Sequence, residues 1–527
     1  MSEKSKERDY NSSNDLPPIY ARTTNGSAKS ARMAAMFGGK GVEIGPRIIP
    51  VPDYLKSDDD DSEETSSAIL DRQLAAEDGA SIQYRTCSWQ KTAALLFSEY
   101  ICLAIMSFPW SYSILGLVPG IILTVVVAGL VLYTSLILWQ FCLRHPEVRD
   151  VCDIGQTLFT FKQFPWLGVF AWWATAVMFI LNNTFIQALH VLVGAEYLNT
   201  MTASDFIGGC RTVEFSVIVT VICWLASLPR TFSMMSKLGT ASAIFTFISV
   251  VLATIFVAIQ GPPAHFDLEG KGPDPYGAVI FNIIPEKGTT WVNGMAAFLN
   301  ISYTFIGQIT LPSFIAEMRD PREFPKALWA CTIAEIAVFS VVGGVMYAYT
   351  GQYVTAPAFG SLHEGYKKIS FSFMIPTLIF LGCLYASVTA RFVFFRMFRN
   401  SRHLSDHTVV GWSAWTGILL VTWIVAFVIS QVIPFFNSLL AVMSSLFDSW
   451  FGFIFWGVAF FRMRSADEKA KRRRNAALDI LSVSLNVIII LTGVMFLTLG
   501  TAASVIGIID EFKSGVKKVF SCASNAI

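Results

Sequence analysis

Between residues 92 and 501 the chain alternates long apolar runs, almost free of charge, with short polar connections. Eleven such runs stand near 91–117, 119–143, 167–195, 213–229, 237–260, 291–317, 327–352, 371–396, 409–431, 437–461 and 477–501. A helix of about 20 apolar residues crosses the hydrocarbon core of a bilayer, so each run predicts one span. The fourth is short but lies within the usual range of about 17–25 residues. The pattern defines an all-α polytopic membrane protein in contact with lipid. A twelfth, interfacial segment around 502–520 is a further reading of the C-terminal end.

Two of the runs are interrupted. The sixth carries Gly307, Gln308 and Pro312 midway, and the first carries Pro109. Glycine raises the entropic cost of a helix, and proline removes a donor and crowds the preceding turn. A helix that only had to cross lipid needs neither. Backbone groups freed at membrane depth must be satisfied by protein, water or a ligand. Spans one and six occupy corresponding positions in two sets of five, and because five is odd the sets run in opposite senses. Paired interruptions in an inverted repeat point to a binding site near the midplane. The expected architecture is therefore a five-plus-five inverted repeat with an eleventh helix. The bland alternative is two unrelated proline kinks in a channel or receptor bundle.

The flanks are polar. Residues 1–88 hold the acidic run SDDDDSEET (57–65), several Ser and Thr, and Lys4, Lys6, Lys29, Lys40 and Lys56, and contain no apolar leader-like core. This composition predicts an unstructured tail with too little apolar mass to pack on the spans. It reads either as a solvated segment or as a regulatory one for phosphorylation and ubiquitin-ligase-driven endocytosis. The membrane domain is expected over 89–501, with 502–527 as a short C-terminal tail.

Basic residues fix the expected orientation. With a cytosolic N-terminus, the inner connections hold Arg144, Arg149, Lys162, Arg230, Lys237, Arg319, Arg322, Lys326, Arg396, Arg399, Arg402 and the cluster from Arg462 to Arg474. The outer connections between spans hold Arg211, Lys271, Lys287, Lys367 and Lys368, and Lys513, Lys517 and Lys518 of the C-terminal tail mildly oppose the trend. Net charge is +1, and no nucleic-acid partner is expected. Most of the nine cysteines sit in apolar runs, and only Cys210 and Cys522 fall where an oxidising side is expected. The six histidines form no HExxH motif, so no metal, cofactor or catalytic residue is expected and the chain does not read as an enzyme.

The stretch from Phe305 to Ala327, with Gly307-Gln308, Pro312, Glu317-Met318, Asp320-Pro321 and Phe324-Pro325-Lys326-Ala327, resembles the sixth-span signature of the amino acid/auxin permease family. Ser107-Phe108-Pro109-Trp110 is similar to the end of that family's first-span pattern. The resemblance covers roughly residues 85–500 and is greatest to the fungal N-system, or methyltryptophan-resistance, permeases of neutral amino acids. The family's two first-span glycines fall on Cys102 and Ala104 here. The resemblance implies a secondary active symporter of neutral amino acids in the plasma membrane, with the vacuolar membrane as the alternative. A non-transporting amino-acid sensor would share the whole fold.

The chemistry of an α-amino acid fits a helix break. Its carboxylate needs donors and its ammonium needs acceptors, and half-helix ends offer both from backbone. The expected carboxylate site is the backbone of Ala104, Ile105, Met106 and Ser107, and the expected ammonium site is the carbonyls from Tyr303 to Ile306. Met106, Tyr303, Phe305, Asn182 and Asn183 are expected to line the side-chain pocket, with packing or lipid contact as the alternative for the aromatics. Gly307 and Gln308 complete the candidate site, with interhelical packing as the other reading of Gln308.

Intramembrane ionisable groups are costly and therefore functional candidates. Glu99, His190, Glu335 and Asp448 make up this set. Glu99 lies on the N-terminal side of the span-one break. Desolvation disfavours a charged carboxyl, which makes Glu99 the leading candidate for a proton carrier, against a structural hydrogen bond to a neighbouring helix. His190 is a weaker candidate for gating or proton transfer. A coupling sodium would instead use Ser387 and Thr389 of span eight, and Lys237 at the start of span five could replace the ion with its own ammonium. Glu317, at the mouth of span six, is expected to pair with Arg319 or Lys326.

Overall fold

In a computed structural model the chain is described at residues 33, 36–39, 41–48, 66–77, 85–148, 150–202, 210–230, 232–267, 277–399, 401–403, 406–470, 476–515 and 518–527. Among the described residues the elements are helical, joined by one isolated bridge between Cys87 and Met318. Eight helices are long and apolar enough to cross a membrane, and the bent pair Trp89–Tyr100 with Leu103–Leu115 makes a ninth. Span four, Arg211–Ala226, and span six, Trp291–Phe305 with Leu311–Glu317, complete the expected eleven. Spans two, three, five, seven, eight and nine are Leu117–Arg144, Pro165–Met201, Phe232–Ile259, Phe324–Thr350, Ile375–Met397 and Val409–Val432. Span ten is Phe436–Lys469 and span eleven is Ala476–Lys513.

Local chemistry sets the helix starts. Ser88, Thr290 and Thr408 cap spans one, six and nine through their side-chain oxygens, satisfying amides that lack an intrahelical partner. Span eleven continues through wide π-helical turns at Phe496–Gly500 into Thr501–Lys513. The expected boundary at 501 therefore gives way to one unbroken helix, with no separate twelfth segment before Lys513. On span three, Trp166, Phe170, Trp173 and Val177 are all exposed. Their spacing marks one face of a helix turned toward lipid.

The two breaks lie ahead of their prolines. In span one the chain leaves the helix at Ile101 and Cys102, where φ/ψ are −74°/84° and −120°/−179°. A tight turn over Leu103–Ser107 follows, then the half-helix Phe108–Leu115, bent 49° from the first half. Pro109 sits in the first turn of that second half. Span six leaves the helix at Ile306, φ/ψ −92°/103°, and Pro312 again stands in the first turn of the next half-helix. Proline is tolerated where its missing N–H would have no partner. The span-one interruption expected at Pro109 is displaced toward the N-terminus for this reason, whereas that of span six falls around the expected Gly307 and Gln308.

The segment before span one is more structured than its composition suggests. Residues 66–77 form a helix with Ile69 and Leu70 buried, and Ile48 is also buried. Gly39 donates to the Arg322 carbonyl, Asp71 pairs with Arg322 at 2.5 Å, and Phe37 packs on Trp329 of span seven. Gly38 has φ +72°, and a Cβ there would meet the Arg322 carbonyl oxygen at 2.3 Å. Arg144, at the end of span two, holds both oxygens of Asp467 on span ten and donates to the Pro46 carbonyl. A few apolar hooks and backbone hydrogen bonds thus strap this segment across the C-terminal ends of spans two and ten and the N-terminal end of span seven. The acidic run and the five tail lysines lie outside the described residues.

On the opposite face a disulfide joins Cys210, between spans three and four, to Cys522 in the C-terminal segment. Asn525 accepts from Asn199, and the Ile527 amide donates to Thr200. Both disulfide partners must share a side, which agrees with an odd number of spans.

The strap generates a pH-dependent prediction. The Ile48 amide donates to His145 Nε2 at 3.0 Å, so that nitrogen must be unprotonated, and Nδ1 then donates to Glu147 at 2.9 Å. Burial holds the imidazole below its ordinary value of 6.5, against the opposing pull of Glu147. A lowered histidine stabilises the docked form fully above its free value, and the contribution is lost as pH falls through the lowered one. Hydrogen-exchange protection of residues 41–48 should therefore fall as pH drops below about 6.5, and His145→Ala should remove this dependence. Protection unchanged by acidification would contradict the assignment.

Candidate functional site

Spans one and six meet at their breaks, which are buried for most of their length. Leu103 to Ser107 are fully or nearly fully buried, as is Phe305. Between the breaks lies a small cavity of about 60 Å³. Span one contributes Glu99, Tyr100 and Cys102, and span six contributes Tyr303, Thr304, Ile306, Gly307 and Ile309. Asn182 and Ile186 from span three, Tyr385 from span eight, and Asp448 and Phe451 from span ten close it. A larger cleft of about 600 Å³ on the opposite face, lined by residues that include His265, His363 and Lys367, shares none of these residues. Its size does not make it the better candidate, because no helix break opens onto it.

Glu99 ties three spans together. Tyr385 of span eight donates to Oε1 at 3.1 Å, and Thr310 in the span-six break donates to Oε2 at 3.3 Å. Gly307 lies under Tyr100: a Cβ built there would meet the Tyr100 ring and hydroxyl at 2.4–2.6 Å. Only a residue without a side chain lets the two breaks approach this closely. Gly452 does the same on span ten, where a Cβ would meet Ile306 at 2.8 Å.

Of the expected site residues, Glu99, Asn182, Tyr303, Ile306 and Gly307 line the cavity together. The others are turned elsewhere. Ala104, Ile105, Met106 and Ser107 form the turn after the span-one break, with Ser107 Oγ bonded to the Ala104 carbonyl at 2.7 Å. Cys102 lines the cavity, so a thiol stands at one of the two positions where the resemblance would place glycine. Phe305 packs against Phe108 and Phe339, with ring centroids 6.3 and 5.2 Å away. Gln308 donates to Thr134 of span two at 3.0 Å, the interhelical alternative. Asn183 donates to Thr389 of span eight at 3.0 Å.

The remaining ionisable and ion-binding candidates also have defined places. His190 bonds its own helix at the Ile186 carbonyl, and Glu335 accepts from Cys331 one turn away. Ser387 is buried with no hydrogen-bond partner among the described residues. Lys237 lies in the span-five helix, with its side chain outside the described residues. Lys326 pairs with Glu323 and Arg319 donates to the Thr86 carbonyl. Glu317 faces Lys91 and Arg391 instead of either expected partner. Its backbone closes the N-terminal side: Cys87 donates to the Glu317 carbonyl, and Arg319 donates back to Cys87.

Reading the sequence overlooked Tyr100, Tyr385, Thr310 and Phe451, and ranked Asp448 low. Tyr100 had a local signal, an aromatic next to the intramembrane acid. Thr310 lies in the span-six break itself, between Gln308 and Pro312, whereas Tyr385, Phe451 and Asp448 reach the site only through tertiary contacts.

Two broken spans enclosing a cavity lined by Glu99 and Asp448 form the candidate site. The chain belongs to the transmembrane amino acid transporter family, whose description matches residues 85–506. It is 28% identical over 477 residues to the N amino acid transport system protein of Neurospora crassa, covering 90% of this chain and 96% of that one. It is 26% identical to a transmembrane transporter of Gibberella moniliformis, covering 86% and 91% of the two chains. Among solved structures it is similar to Mhp1, a nucleobase-cation-symport-1 family transporter in a closed conformation with bromovinylhydantoin bound. That match has a TM-score of 0.46 and 13% identity, covering 84% of this chain and 95% of that one.

Gly307→Val tests the approach of the two breaks. Overpacking costs about 1–3 kcal/mol, less than the ~5–15 kcal/mol that holds a typical fold, so the variant should still reach the membrane. Displacement of Tyr100 should abolish amino-acid uptake. Normal uptake by a correctly localised variant would remove Gly307 from the site.

Proposed function

We propose that the protein is a proton-coupled symporter of neutral amino acids, aliphatic and aromatic, in the plasma membrane with its N-terminus cytosolic. The observation that carries this reading is Glu99, a half-buried carboxyl that opens on the cavity and accepts from spans six and eight at once. A protonated carboxyl loses acceptor capacity and gains a donor. Loading a proton therefore changes how the first half of span one is held against spans six and eight. The same group touches the cavity, so proton and substrate act on one structural element.

The neutral-substrate reading rests on the apolar and aromatic lining, with Ile186, Ile306, Ile309, Tyr303 and Phe451, and on the absence of any lysine, arginine or histidine among the lining residues. The substrate carboxylate would lie against the backbone of the turn from Ala104 to Ser107. The relative from Neurospora crassa is named for N-system amino acid transport, which favours the same class. A cytosolic N-terminus follows the bias of basic residues. The Cys210–Cys522 disulfide on the other face suits an oxidising compartment, which the cell exterior or a vacuolar lumen supplies. Lysines in the tail would then be accessible to ubiquitin-ligase machinery.

Sodium is the second reading. Its expected ligands are weakened, because Thr389 already accepts from Asn183, and span eight meets the span-one acid through Tyr385.

Uptake into proteoliposomes of the full chain tests the reading. Phenylalanine and leucine should accumulate when the exterior is acidified, without sodium, and lysine and glutamate should not. Glu99→Gln should still exchange labelled for unlabelled substrate but lose pH-driven accumulation. If Glu99→Gln concentrates substrate as steeply as the wild type, Glu99 is not the coupling group.

A further inference from the structure

Glu99 and Asp448 line the same cavity but are not equivalent. Both oxygens of Glu99 accept hydrogen bonds from neighbouring spans. Asp448 Oδ2 has no partner among the described residues, although the residue is only 5% exposed. A buried carboxylate oxygen without a partner is expensive and is retained where something fills the position during the working cycle. Among the described residues no basic side chain lines the cavity to supply a counter-charge.

The position of Asp448 is built. It lies in the π-helical stretch Ser444–Ile454 of span ten, which begins directly after Phe436–Met443. Such wide turns re-aim side chains and recur at functional sites. One turn further on, Gly452 lets span ten close on Ile306 in the span-six break. The same face of span ten therefore presents Asp448 to the break.

We infer that the Asp448 carboxylate is the counter-charge for the substrate's α-ammonium group, and so a residue that selects amino acids over carboxylic acids lacking the amine. This deepens the proposal that the cavity between the breaks is the substrate site. It also shifts the ammonium from the span-six carbonyls alone to a charged partner on span ten. A carboxylate and an ammonium form a charge-assisted pair stronger than a neutral hydrogen bond. Glu99, with its oxygens engaged, is left to the proton.

The test uses the full chain in proteoliposomes without sodium. Counterflow of labelled L-phenylalanine is measured with two unlabelled competitors, L-phenylalanine and 3-phenylpropionate, which has the same side chain and carboxylate but no amine. Asp448→Asn keeps the shape and removes the charge. It should weaken L-phenylalanine about tenfold or more, as loss of one partner of a buried charge pair does, and leave 3-phenylpropionate unchanged, narrowing the ratio between them. Asp448→Glu keeps the charge and should keep the discrimination, which makes the proposal testable even if the Asn variant fails to fold. Equal weakening of both competitors would mark a structural role and overturn the proposal. So would an unchanged L-phenylalanine affinity with loss of pH dependence, which would make Asp448 a proton carrier, or lost discrimination in Asp448→Glu. Failure of the underlying site reading is distinguishable, because Gly307→Val would then transport normally whatever Asp448 does.

Discussion

Hydrocarbon gives an unpaired peptide group no partner, so a broken helix cannot face lipid. This constraint organises the molecule. Both interrupted spans are drawn to the centre, with Phe108, Tyr112, Phe305 and Phe339 fully or nearly fully buried around them. Unbroken spans take the outside, where the exposed stripe on span three meets lipid. The breaks then face one another across a small cavity. Polar side chains that would be intolerable elsewhere, Glu99, Asp448 and Asn182, collect there.

How the central spans are held follows from the same need. On the N-terminal side, the start of span one and the end of span six are pinned by reciprocal backbone bonds between Cys87, Glu317 and Arg319. The Arg144–Asp467 pair and the strap from residues 36–48 cover that side further. At the cavity, the direct side-chain links from Glu99 among the described residues run to spans six and eight. A group at that junction has leverage over the closing motion, whereas His190, bonded to its own helix, has none.

The fold was largely legible because membrane spans announce themselves as apolar runs, and glycine and proline mark where a span gives way. The exact break of span one was not, because proline settles in the first turn of the helix after the break. The site was legible in part for a related reason. Successive helical residues point about 100° apart, so proximity to a break does not mean facing it. Asn182 lines the cavity while Asn183 reaches Thr389; Gly307 lines it while Gln308 bonds Thr134. Tyr385 and Asp448 come from spans far along the chain, and no local pattern ties them to Glu99. The docked strap escaped notice because three buried aliphatics, Ile48, Ile69 and Leu70, are too sparse to form a periodic signal.

The central claim is that the amino acid occupies the cavity between the two breaks, and a native reporter already sits there. Cys102 lines the cavity and is not disulfide-bonded. Alkylation of Cys102 by a small thiol reagent, followed by peptide mass spectrometry during turnover, measures occupancy directly. Saturating L-phenylalanine should slow modification of Cys102 while leaving that of Cys142, which lies on span two outside the cavity, unchanged. Modification of Cys102 at the same rate with and without a transported substrate would contradict the account.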